Sequence, residues 1–551
     1  MFQRPLWWLT GTIWLVACSG GTEPGIRPCT GGTPVNLAVN QYVSLDAGVD
    51  SGCVEFPATS SIVEYLVVPQ LATGTPGQMT SVVLGGDTIR PPVPAPPVAL
   101  TGAGGSAEQF HAFLRIGDER RSWGFAPEPR SPVIAPSPAV ITSGPPALNS
   151  LRTFMVCGKL DCSRFDKVGA RVRALKAKVA IYVDTLAPAG GLDSTAIDSI
   201  AKVFDQRLYA VDTAAFGRES DIDTNTVVLV LMTNVVNKLV TASECDKSGF
   251  VAGFFFGADL DPAFRNDSRS NKGEVFYSVV ADPQGTLSCS HTVAEIQAFL
   301  PVTFVHEFQH MISFNQHFLV RGNLPEDLWL NEGLSHYAEE NGGRTFLPDT
   351  ATFCRYAFGD LYNASQYFTA PQNYVLVDSA GIGGLANRGA YWLFVRYLVD
   401  QIGPTLGSKD SVTRRLDRTS LIGPANVSNA AGGTAFPTIL TQWALANYVS
   451  DLPGFTAPPE LQYTTWKFRT DYQTMRTACV TTQLPSQFPL APAVVDASTA
   501  QVSGMLHAGS ASYYRMQHAA GASKFTLLFS NSAGGALRTT LAPRLNVIRL
   551  Q

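Results

Sequence analysis

One stretch of the chain sets three side chains of matched chemistry on a single helix: Pro301-Val-Thr-Phe-Val-His306-Glu307-Phe-Gln-His310-Met-Ile-Ser-Phe. Two histidines four residues apart are offset by about 40° around an α-helix and about 6 Å along it, so both imidazoles can address one metal ion. Glu307, one step round the helix, is placed to touch a water held at that ion rather than the ion itself. Phe304, Phe308, Met311 or Ile312, and Phe318 recur at helical spacing and form a core-facing stripe. Pro301 suits a first helical turn, where its missing N–H is not needed. The competing reading, two satisfied surface histidines, loses weight because a helix carries the pair and a matching third ligand follows.

The third ligand decides the subclass. A metzincin would carry Gly at 313 and His at 316, where this chain has Ser313 and Gln316. His317 lies about 10 Å further down the helix axis than His310, out of reach of the same ion, and reads as a structural or solvated histidine. A second helix follows: Leu328-Trp-Leu-Asn331-Glu332-Gly-Leu-Ser-His336-Tyr-Ala-Glu339-Glu340, opened by Asn323 and Pro325 and closed by Asn341-Gly342-Gly343. Asn-Glu on such a downstream helix resembles the third-ligand helix of gluzincins, the thermolysin-like and aminopeptidase-like zinc peptidases. That resemblance implies Glu332 as the third ligand, with a fourth position open for water. His336, one turn on, is the competing ligand; otherwise His336 or Glu339 supports a ligand or the transition state.

The two segments together, at this spacing, look like the hyicolysin family of secreted bacterial metallopeptidases. The likeness is specific over about 300–343 and looser over about 150–450. It implies one catalytic Zn2+, endopeptidase activity on protein or peptide substrates, and a two-lobed zincin-like α+β domain with the site between the lobes. In the implied mechanism Glu307 takes a proton from water as zinc polarises the scissile carbonyl, then delivers it to the leaving amine. An oxyanion donor is also needed. Tyr391, Tyr397, Arg388 and His336 are the candidates, although each tyrosine sits in an apolar helix where a core role competes. The strand expected over 274–281 could be the edge that pairs with an extended substrate.

The elements that must position this site are legible in outline. With 45% hydrophobic residues in 551, the chain can pack several cores. Its 40 basic and 44 acidic residues leave no basic surface for nucleic acid. Residues 1–17 read as a lipoprotein signal peptide: Arg4, a short apolar run, then Leu15-Val16-Ala17-Cys18, which resembles a bacterial lipobox and implies a lipid anchor at Cys18. Residues 18–33 read as a tether, and Ser19 favours an outer-membrane or surface destination. Residues 34–125 read as a β-rich, sandwich-like domain in which 62–68 and 110–116 are strands and the proline-rich 90–97 is either a long loop or a break. A Pro-rich linker spans 126–148. The metallopeptidase domain covers 149–484, as an α+β lobe over 149–290 and a mostly helical lobe over 291–484, and a small separate β domain covers 493–551. A monomer is expected.

Eight cysteines besides Cys18 make four disulfides the expectation in an exported protein. Nearest-neighbour pairing would join Cys29 to Cys53, Cys157 to Cys162, Cys245 to Cys289 and Cys354 to Cys479. Asp221-Ile-Asp223-Thr-Asn225 opens like a calcium loop, but Thr226 and Met232 stand where Gly and Glu belong, so a turn before a strand is the better reading. Calcium is only weakly supported. His111, His291, His507 and His518 are isolated and receive no role. Two rivals stay open: a non-peptidase zinc hydrolase, and a surface lipoprotein whose zinc is structural. An intact Glu307 argues against the second, since a structural site has no use for a base beside the metal.

Overall fold

The computed structural model describes residues 29, 31–49, 52–86, 105–125, 144–322, 324–381, 383–497 and 500–551. The signal segment, Cys18, most of the tether, the proline run at 90–97, most of the 126–148 linker and Asn323 lie outside the described residues. The described chain is a mixed α+β structure with three sheets.

Five strands come from the N-terminal part: β1 (Thr33–Pro34), β2 (Tyr42–Asp46), β3 (Cys53–Phe56), β4 (Val63–Leu71) and β5 (Met79–Gly85). Six follow in the middle: β6 (Leu151–Cys157), β7 (Phe165–Leu175), β8 (Val179–Asp184), β9 (Val228–Met232), β10 (Gly253–Phe255) and β11 (Val275–Ser278). Five close the chain: β12 (Ala493–Asp496), β13 (Gln501–His507), β14 (Tyr514–His518), β15 (Phe525–Asn531) and β16 (Pro543–Arg549).

The two ends do not form separate modules. Their strands alternate in the same two sheets, ordered β1-β3-β15-β5-β13 and β12-β14-β4-β16-β2. The expectation of one β domain at each end is corrected to a single sandwich that neither end completes alone. β4 shows why. It is buried at every position, with Val63, Tyr65, Val67 and Leu71 facing the sandwich interior. Leu66 and Val68 face the core of the rest of the molecule. A strand covered on both faces reads as a continuous apolar run, and its partners β14 and β16 lie more than 400 residues away in sequence. The sandwich docks on the helix Phe436–Val449, where the Gln70 amide donates to the Leu440 carbonyl at 3.1 Å and the Tyr513 hydroxyl to that of Ala444 at 2.8 Å.

A second correction concerns 110–116, which is not a strand. It lies inside a helix, α1 (Ser106–Arg120), whose Ala107, Phe110 and Leu114 repeat at helical spacing and are buried in the main core.

The central sheet runs β10-β11-β9-β8-β7-β6, with β8, β9 and β11 parallel and β10 antiparallel at one edge. Against it lies α2 (Val293–Phe314), the motif helix, followed by α3 (Leu328–Arg344), α4 (Thr350–Thr369) and α5 (Leu385–Ile402). α2 begins eight residues before Pro301, because Thr292 and Glu295 form a capping box that satisfies its first N–H groups. Pro301 is therefore inside the helix, not in its first turn. α3 likewise runs past Asn341-Gly342-Gly343 to Arg344. A Cβ on Gly343 would stand 2.5 Å from the Tyr356 side chain, so glycine there serves close packing against α4 rather than termination. α5 is buried along almost its whole length, as its apolar sequence requires.

All four nearest-neighbour disulfides are formed. Among the described residues no helix is long and apolar enough to cross a membrane.

Candidate metal centre

α2 and α3 bring His306, His310 and Glu332 together. The two Nε2 atoms stand 3.2 Å apart. The Glu332 carboxylate lies 3.7 Å from His306 Nε2 through one oxygen and 3.5 Å from His310 Nε2 through the other. All three side chains are buried, and neither Glu332 oxygen has a hydrogen-bond partner among the described residues.

The outer nitrogens explain the inner ones. His306 Nδ1 is 2.6 Å from Glu339 Oε1, and His310 Nδ1 is 2.6 Å from Asn331 Oδ1. Both acceptors require a proton on Nδ1, which leaves a lone pair on each Nε2 when the ring is neutral. Two lone pairs and a carboxylate then face one small space. Their mutual repulsion is relieved by a cation, the arrangement in which outer carboxylate and carbonyl partners fix the tautomer of ligating histidines. Burial, then the nearby Arg115, holds the His310 imidazolium pKa well below its ordinary value, consistent with a neutral ligand.

Burial alone would oppose charge on Glu332, yet Arg388, 3.7 Å away, and the two histidines hold its pKa well below the usual carboxylate range. Glu307 has the opposite balance: burial raises its pKa. Its Oε2 accepts the backbone N–H of Phe255 at 2.8 Å, which aims the carboxylate along the edge of β10. Gly333 lets α5 close on α3 here, since a Cβ would meet the Tyr391 carbonyl at 2.8 Å.

His336 falls on the other side of His306. Its Nδ1 lies 3.1 Å from Glu339 and 3.0 Å from Asp360. Burial disfavours its charge, but these two carboxylates outweigh it and lift the pKa to about 10. His306, His336 and Glu339 form a second close trio. A nitrogen and an oxygen only 2.6 Å apart, however, are joined by a proton and leave no room for an ion between them. Tyr391 is buried on α5 beside the site, with its hydroxyl 3.4 Å from Asp378. Tyr397 is further off: its hydroxyl donates to the Glu460 carbonyl.

The edge strand is β10. The strand expected over 274–281 forms β11, paired on both sides by β10 and β9, so it has no free edge to offer a substrate. β10 takes Gly253–Phe255 of the apolar run at 250–256, antiparallel to β11.

His317 is fully buried, 3.8 Å from both Glu326 and Asp417, and among the described residues belongs to no metal-sized cluster. Asp221 and Asp223 form the expected turn, accepting the N–H groups of Thr226 and Asn225. The fold brings Glu274 to them, but Arg152 stands 3.7 Å from Asp223 and already supplies positive charge. Cys245, Cys289 and His291 also cluster, with the sulfurs joined as a disulfide.

Sequence reasoning missed three participants. Asn331, the acceptor behind His310, stands beside Glu332 in the sequence but carries no signal of that role. The Phe255 N–H has no side-chain signature. His111 is placed by α1, whose Nδ1 is enclosed without a partner in the electrostatic field of Arg388, Glu332 and His306.

Glu339→Gln replaces the charged acceptor behind His306 with an amide, and the expected outcome is a 10–100-fold loss of metal affinity by competition titration. His317 gives a pH signature. Burial, then Arg321, lowers its pKa to about 4 in the folded chain, below the ordinary 6.5. Its stabilising contribution is therefore complete above about pH 6.5 and lost as pH falls through about 4. Urea midpoints of the parent and His317→Gln should converge across that window.

No family model matches the chain. The neutral metalloprotease ShpI of Staphylococcus hyicus is 27% identical over 142 residues, which are 26% of this chain and 30% of that protein. The chain thus matches less than a third of that relative's length, and the likeness supports a distant metallopeptidase relationship.

Proposed function

We propose that the protein is a zinc-dependent endopeptidase of gluzincin type, exported and held at a bacterial surface by a lipid on Cys18. The observation that carries this reading is the convergence of His306 Nε2, His310 Nε2 and Glu332 at 3.2–3.7 Å in a buried pocket beside Glu307. The edges of a tetrahedron with metal–ligand bonds of 2.0–2.1 Å are about 3.4 Å long, which fits zinc with three protein ligands and one open position. The distant likeness to a neutral metalloprotease points the same way, and four disulfides suit an oxidising compartment.

When bound, zinc supplies Lewis acidity to a water and to the scissile carbonyl. The chain supplies the rest. Glu307, its pKa raised by burial, accepts a proton from the attacking water at one carboxylate oxygen while the Phe255 N–H holds the other. It then returns the proton to the leaving amine. Glu339 and Asn331 keep the imidazoles in the ligating tautomer, and His336, fixed by Asp360, orients Glu339. The substrate backbone adds to the edge of β10, between the lobe built on the central sheet and the one built on the helices from α3 onward. Arg388, 3.7 Å from Glu332, and Tyr391, which lies in the electrostatic field of Glu332, are the donors assigned to the developing oxyanion.

Glu307→Gln keeps the volume and the Phe255 acceptor but removes the base. Turnover of a casein substrate should fall about 10²–10⁴-fold, with zinc stoichiometry unchanged by metal analysis. Normal cleavage by the zinc-loaded variant would reject the base assignment.

A further inference from the structure

α1 lies across the candidate site, and its contacts reach both sides of it. At its start the Ser106 hydroxyl meets Glu244 at 3.2 Å. At its end Glu119 accepts the N–H of Leu328, the first residue of α3, at 2.5 Å. Between them Ala112 packs against Gly381, so closely that a Cβ on that glycine would stand 2.3 Å from the alanine methyl.

The middle of α1 engages the edge strand. Arg115 is fully buried, and its Nη2 donates to the Phe255 carbonyl at 2.8 Å. The N–H of the same residue is held by Glu307. N–H and C=O of one strand residue point to the same side, so both free-edge groups of Phe255 are taken, one by the general base and the other by α1. An extended peptide adding to β10 competes with Arg115 for that carbonyl.

The rest of this helix face is polar, yet enclosed. Glu108, His111 and Arg115 recur at three- and four-residue spacing. Glu108 Oε2 and His111 Nδ1 are both buried without a hydrogen-bond partner among the described residues. Arg388 feels the charge of Glu108, and His111 that of Arg388, Glu332 and His306, so the face is turned toward the metal centre. With α1 in place His306, Glu307, His310 and Glu332 are 1–6% exposed. A site that must receive a polypeptide is closed by a piece of its own chain.

We propose that α1 is an internal plug, that the chain folded in this way is latent, and that α1 must leave the β10 edge before a peptide substrate can bind. This rests on the reading of His306, His310 and Glu332 as a zinc site.

The test uses the full zinc-loaded chain and Ala112→Arg, which has no room against Gly381 and wedges α1 outward without altering a site residue. Two rates are read: extraction of zinc by a chromogenic chelator, and cleavage of a quenched fluorescent peptide. Both should rise tenfold or more. Glu119→Ala, which removes the acceptor of the Leu328 N–H, loosens the other end of the helix and should raise both rates about threefold, which keeps the test decisive should Ala112→Arg not fold. Folded, zinc-loaded variants that release zinc and cleave no faster than the parent would overturn the plug. Faster zinc release with no cleavage by any chain would keep the plug and reject the peptidase reading. Failure of every chain to take up zinc would reject the metal site and the plug with it.

Discussion

The rest of the structure depends on an electrostatic conflict buried between two helices. Glu339 and Asn331 oblige His306 and His310 to turn unprotonated nitrogens toward each other at 3.2 Å, and Glu332 adds a carboxylate with no protein donor. Water is excluded from these side chains, and burying unpaired polar groups is costly. A cation resolves the conflict, whereas apolar packing would have required other residues. Around this point the chain places Glu307, whose pKa burial raises, Arg388 beside the Glu332 carboxylate, and an edge strand whose Phe255 amide holds the Glu307 carboxylate.

The fold serves that geometry by long-range closure. α2 is held on the central sheet by its aromatic stripe; Phe304 and Phe308 meet Phe204 and Phe276 edge to face. α3 is pinned from behind by α5, where Gly333 permits backbone contact beside Glu332. The sandwich covers the helical side through Phe436–Val449, and within it β16 pairs with β2 and β4. α1, delivered from the N-terminal part, then reaches the site from the opposite direction to the residues that sequence spacing connects.

What could be read from the sequence follows from which interactions are local. His306, Glu307, His310 and Glu332 announce themselves because one helical turn and one following helix set their geometry. β8 and β9 are short buried apolar runs and α5 an almost wholly apolar helix, patterns that a local window of sequence carries. The segment 110–116 was not, because seven apolar and polar residues fit a strand or one helix face equally well, and the burial of Phe110 and Leu114 decides only in three dimensions. The single sandwich was also hidden: the pairing of β4 with β14 and β16 is a contact across more than 400 residues that no local pattern encodes. The start of α2 was readable, since Thr292 and Glu295 have capping-box spacing, but Pro301 offered a nearer and misleading signal. His111 and Arg115 could not be recognised at all, because isolated residues acquire a role only when a remote helix is laid over the site.

The most direct test of the account is X-ray absorption at the zinc edge of the chain loaded with one equivalent of metal. Two imidazole nitrogens at about 2.0–2.1 Å with light oxygen ligands completing a four-coordinate shell is the predicted result. A sulfur shell at about 2.3 Å, or six oxygen ligands, would place the ion elsewhere and contradict it.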